Sequence, residues 1–235
     1  MLAAGDGARR AEAAVAPAPL PVAHAVTNLA GWTVRLDERL RAGSEAKLGR
    51  EATDLLAGRL NEIAAVVAPD RLERLRKVVI QLDLTHGALD NMQYHPNPAW
   101  LRDHGYSTGL AKCVHIPVAR QFVDARHRHT QPWCVLHELA HAYHDQVFGF
   151  DEPRIREAWK ALKEGGRYES VAFIDGGTRR HYALTDPMET FAEMSEAYFG
   201  MNDFFPFNRA ELRREEPALH GLLREVWGPL PAERH

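Results

Sequence analysis

The residues best placed to do chemistry are His137-Glu138-Leu139-Ala140-His141, an H-E-x-x-H motif. On a helix, positions four apart share a face, so His137 and His141 can offer two imidazole nitrogens to one Zn²⁺. Glu138 is turned from the first histidine by about 100° of helix rotation and cannot join them as a ligand. It can still reach a water on the open side of the metal, where a general base for hydrolysis belongs. Leu136, Leu139, Ala140, Tyr143 and Val147 form an apolar stripe with the histidines along its flank, which anchors this helix in a core.

A catalytic zinc takes a third protein ligand. The metzincin pattern is excluded, because His144 and Val147 stand where it needs Gly and His. His144 is almost two turns from His137 and reads as a polar flank or an outer partner. A second helix after Pro187 is the better source. Its stripe Met188, Ala192, Ser195 and Phe199 is followed, one residue later each time, by Glu189, Glu193, Glu196 and Gly200. The first helix carries its histidines at the same offset from its own stripe. Packed side by side, the two helices would bring Glu189 to the metal as third ligand, with Glu193 as its rival. Glu193 is otherwise expected to accept a proton from the far nitrogen of a ligand histidine and fix its tautomer.

H-E-x-x-H followed by E-x-x-x-[DE] on a later helix resembles the gluzincin metallopeptidases. The run from Tyr182 through Glu189 to Phe191-Ala192-Glu193 is similar to the corresponding stretch of the anthrax lethal factor catalytic domain, and the wider chain looks like bacterial proteins carrying this core. The resemblance covers roughly residues 114–199. It implies a zincin-like fold, His137, His141 and Glu189 as zinc ligands, Glu138 as general base, and Tyr182 as a donor to the transition-state oxyanion. No toxin role carries over. Strand alternation would send the neighbouring His181 to the opposite face from Tyr182.

The elements that must position these residues read as α+β: a small, mostly antiparallel sheet with the H-E-x-x-H helix and the Glu-bearing helix packed against it. Residues 1–26 are Ala/Pro-rich and read as a flexible leader, with 27–235 a single metallopeptidase domain. Trp32, Val34 and Leu36 alternate as a strand, and Val78–Leu84 is a second. A helix is expected from Ser44 to about Ala68, stopped by Pro69, and a short one over Arg71–Arg76. Residues 86–112 read as a loop with one helical turn near Trp100. Cys113–Val118 reads as an edge strand because of Pro117, and it could align an extended peptide by strand addition. One helix should run from Thr130 to Phe148, with His127-Arg128-His129 in a solvated loop before it. Another spans Pro153–Lys163. A hairpin over Val171–Ile174 and Arg179–Leu184 precedes the helix that ends at Gly200, and two helical segments near 209–216 and 217–226 finish the chain.

The 235 residues carry a formal net charge of -3, which gives no sign of a nucleic-acid partner. No apolar run is long enough to span a bilayer. Cys113 and Cys134 read as buried free thiols, neither in a C-x-x-C pair. The first 25 residues do not form an intact signal peptide; an extracytoplasmic protein with its signal removed is favoured over a cytoplasmic one. The expected activity is hydrolysis of a peptide or protein substrate with Zn²⁺. A non-catalytic zinc-binding interaction protein and a hydrolase of non-peptide amides remain alternatives.

Overall fold

In the computed structural model, which describes residues 19–231, the chain enters the sheet through strand β1, His24–Leu29. Ordered structure therefore begins ahead of residue 27, while the stretch 1–18 of the expected leader lies outside the described residues. Ala30 and Gly31 both adopt positive φ and turn β1 directly into β2, Trp32–Asp37, the geometry that a two-residue antiparallel turn requires. Gly31, at φ 96°, suits a backbone conformation that residues with a Cβ rarely adopt, and the Arg76 side chain lies over it. Trp32 is fully buried and donates its indole N–H to Leu75 O at 2.9 Å.

Helix α1, Ala46–Val66, buries Leu48, Ala52, Leu56, Leu60 and Ile63, one side of an amphipathic pattern. Ser44 makes no cap to it. Pro69 does not merely stop α1. It opens α2, Pro69–Leu75, at the first helical position, where a missing N–H costs nothing. The chain then forms β3, Val79–Leu82, and β4, Gln93–Tyr94. Helix α3, Pro98–Asp103, is capped by the Asn97 side chain and leads to β5, Cys113–Ile116.

The sheet order is β1-β2-β3-β5-β4. Its outer pairs are antiparallel and its inner pairs parallel, so the sheet is mixed and not mostly antiparallel. The reason is connectivity: α1 and α2 lie between β2 and β3, a crossover long enough to return the chain in parallel. Nor is β5 an edge. Pro117 falls just past the last ladder residue, Ile116, and costs no hydrogen bond there, while β4 covers the outer side.

Short helices α4, Ala119–Phe122, and α5, Ala125–Thr130, follow, the second capped by Asp124. Then come α6, Cys134–Tyr143, and α7, Pro153–Gly165. The expected hairpin is reduced to two residues per strand, β6 Val171–Ala172 and β7 Thr178–Arg179. His181 breaks it: its Nδ1 accepts from Ala183 N at 3.1 Å and caps a 3-10 turn over Tyr182–Leu184. Helices α8, Pro187–Phe199, α9, Arg209–Glu215, and α10, Pro217–Trp227, complete an α+β fold. No helix among the described residues is long and apolar enough to cross a membrane.

Candidate metal centre and cleft

The helix expected over 130–148 is three pieces. Pro132 disfavours helix at Gln131, which ends α5, and α6 starts afresh at Cys134. After Tyr143 the backbone widens into a π-helical turn over His144–Phe148, and Gly149 closes it at φ 77°. His127-Arg128-His129 thus sit on α5 and not in a loop. His137 and His141 fall in the regular part of α6, their rings meeting edge to face with centroids 4.7 Å apart.

Helix α8 lies antiparallel along α6. Gly200 at its end rests on Trp133 at the start of α6, and a Cβ at Gly200 would come within 1.9 Å of that ring. At the other end, Asp186 caps α8 by accepting from Glu189 N at 2.9 Å, and Pro187 starts the first turn. The capped turn aims Glu189 at the two histidines. Glu189 Oε2 is 3.1 Å from His137 Nε2 and 3.3 Å from His141 Nε2, and the two Nε2 atoms are 3.1 Å apart. A tetrahedral zinc with ligands at about 2.0–2.1 Å has an edge of about 3.3 Å. The three donor atoms are spaced much as one face of such a tetrahedron would be, and two imidazoles with one carboxylate are a donor set that could hold a metal ion.

Behind the donors stands a row of carboxyls. His137 Nδ1 faces Glu196 Oε1 at 2.8 Å, whereas Glu193 Oε1 lies 3.7 Å away. The partner that orients the imidazole is Glu196, not the expected Glu193. Antiparallel packing explains the exchange, because residues later in α8 lie against residues earlier in α6. Glu193 is instead buried between Glu196 and Asp203, and burial with these two neighbours pushes its pKa well above the usual carboxyl range. Burial and Glu196 likewise raise Asp203 to about 7. Asp203 lies outside every motif of the sequence. It is delivered by the loop after α8, where Asn202 Nδ2 donates to Glu193 O at 2.9 Å and Ile174 N donates to Asp203 O at 2.8 Å.

Burial favours neutral forms at His137 and Glu189, yet their mutual contacts outweigh it: His137 is raised well above its usual value and Glu189 is held well below. Glu138 sits beside the donor triplet and interacts electrostatically with His137, His141 and Glu189. Its Oε2 accepts the backbone N–H of Tyr94 in β4 at 2.7 Å, and burial raises its pKa. That N–H points away from β5, since the ladder on that side uses His95 N to Cys113 O. Tyr182 lines the same cleft, 47% exposed, with burial and the nearby Glu189 raising its phenol to about 12. The cleft is about 620 Å³ and runs from β4 past Glu138 and the donor triplet to Asp203.

Two further expectations meet different outcomes. Cys113 and Cys134 are buried free thiols, each raised to about 12 by burial. His144 is neither a polar flank nor an outer partner: its ring sits between Phe150 and Phe191 with both nitrogens lacking a hydrogen-bond partner. Burial pulls it down to about 4, so it packs as a neutral ring. No family model matches the chain, and comparison with curated proteins and with solved structures returns no match.

Proposed function

We propose that this chain is a zinc metallopeptidase of gluzincin type with a zincin-like fold. The observation that carries the reading is the triplet His137 Nε2, His141 Nε2 and Glu189 Oε2, spaced 3.1–3.3 Å apart beside a buried glutamate in one cleft. His137, His141 and Glu189 hold the ion, which when bound acts as a Lewis acid toward a carbonyl and toward water. Glu196 keeps His137 in the tautomer that presents Nε2.

Glu138 takes a proton from water in the cleft and delivers it to the leaving amine; its raised pKa suits both halves of that task. Tyr182 stays protonated at neutral pH and can donate a hydrogen bond to the oxyanion. Peptide alignment falls to β4 and not to β5, because Gln93 and Tyr94 form the free edge that lines the cleft. An extended chain laid along that edge would compete with Glu138 for the Tyr94 N–H and release the carboxylate for its role. This edge beside the base favours a peptide over a small amide.

The test is a peptide-library cleavage screen on zinc-loaded protein, on chelator-stripped protein and after zinc is returned. Cleavage that follows zinc is expected. Absence of cleavage in all three states would overturn the reading.

A further inference from the structure

A second group of histidines lies on the other side of β4, away from the cleft. Asp83 follows the last residue of β3, His115 lies in β5, and His86 is in the loop after Asp83. The Asp83 and His115 side chains are 0% exposed and that of His86 is 6% exposed.

As a hydrogen-bond hub the arrangement is overfilled on one side. Asp83 Oδ2 faces His86 Nδ1 at 2.6 Å, His115 Nε2 at 2.8 Å and Gln81 Nε2 at 2.9 Å. Oδ1 has His24 Nε2 at 2.7 Å. A carboxylate oxygen offers about two acceptor sites, so three donors on Oδ2 exceed its capacity while Oδ1 keeps one spare. A cation between the two imidazoles and Oδ2 removes the conflict, because both nitrogens then present lone pairs and Gln81 alone donates.

Ring geometry points the same way. The His86 and His115 rings meet at 82° with centroids 4.6 Å apart, against 81° and 4.7 Å for the His137–His141 pair. The three donor atoms lie within 4.8 Å of one another, and the two nitrogens, 2.6 and 2.8 Å from Oδ2, would move away from it by only about 0.5–0.7 Å to reach the edge of about 3.3 Å around a tetrahedral ion.

We propose that Asp83, His86 and His115 form a second, buried metal centre for a divalent ion of the zinc class. His24, with 22% of its side chain exposed, fixes the other carboxylate oxygen and marks the side from which an ion enters. Its burial makes it structural, and what it holds in place is the wall of the cleft. His115 Nδ1 meets His95 Nε2 at 3.2 Å, and His95 adjoins Tyr94, whose N–H binds Glu138. The second centre thus fixes the strand that carries the partner of the general base.

The test counts zinc ions per chain by native mass spectrometry after zinc loading and exchange into metal-free buffer. Wild type is expected to hold two, the His137→Ala/His141→Ala protein one, and that protein with His115→Ala added none. One ion in wild type that persists in His137→Ala/His141→Ala still supports the second centre and counts against the α6–α8 site instead. One ion that vanishes in that variant while its circular dichroism is unchanged overturns the proposal. Should the variant fail to fold, zinc-edge anomalous diffraction from wild-type crystals decides. A peak among Asp83, His86 and His115 is expected, and its absence overturns the proposal.

Discussion

Two histidine–carboxylate groups sit on either side of β4, built from similar parts and arranged differently. In the cleft, three donor atoms stand 3.1–3.3 Å apart, with one carboxylate oxygen opposing both histidines and the Tyr182 hydroxyl close to the same carboxyl group. At β3 and β5, the carboxylate is crowded by donors at 2.6–2.9 Å and sealed from solvent. An open face with a base beside it suits turnover, and a sealed one suits rigidity. On the two readings proposed, residue type does not separate a catalytic from a structural site. Access and the neighbouring base do.

Four changes would break or sharpen this contrast. Glu189→Ala should strip the cleft of its ion, a loss of zinc affinity greater than the roughly 10–100-fold typical of an outer partner, while the buried centre keeps its own. Competition with a chromophoric chelator reads this out, and equal loss from both centres would erase the distinction drawn here. Tyr182→Phe should retain zinc and lower kcat by about 10²–10³ if its hydroxyl supports the oxyanion. An unchanged kcat would return Tyr182 to a packing role. Glu196→Gln should weaken zinc in the cleft by about 10–100-fold, more than Glu193→Gln does, since only Glu196 reaches His137 Nδ1. The reverse order would restore Glu193 as the orienting partner.

The smallest effect concerns pH. Asp203 has a folded pKa of about 7, above the value of an exposed aspartate. A carboxyl raised on folding stabilises the fold while protonated, so its contribution is full at low pH and is lost as pH rises through about 7. Metal-free protein should therefore lose Tm between about pH 4 and 8, and Asp203→Asn should make that slope shallower, with the raised Glu193 and Glu138 supplying the remainder. An unaltered slope in a thermal melt series would place the titration elsewhere.

How much of this was legible in the sequence varies with how local the signal is. The pairing of His137 with His141 follows from helical period alone, and Glu189 followed from matching two stripes. The exchange of Glu193 for Glu196 was not legible, because the relative direction of α6 and α8 is set by contacts such as Gly200 on Trp133 and is written in neither helix. Breaks at Pro132 and at the π-turn after Tyr143 depend on local backbone choices that an apolar stripe passes over. Asp83, His86 and His115 fall in separate segments of the sequence, a strand, a loop and a strand. Their meeting depends on the parallel register of β3 with β5, where Gln81 pairs with His115, and a register across a crossover leaves no spacing to recognise.

The most direct test of the central claim compares wild type with Glu138→Gln, both zinc-loaded, on one cleaved peptide. Equal zinc content and a fall in kcat of about 10²–10⁴ are expected for the variant. Glu138→Gln protein that holds its zinc and cleaves at the wild-type rate would contradict the claim.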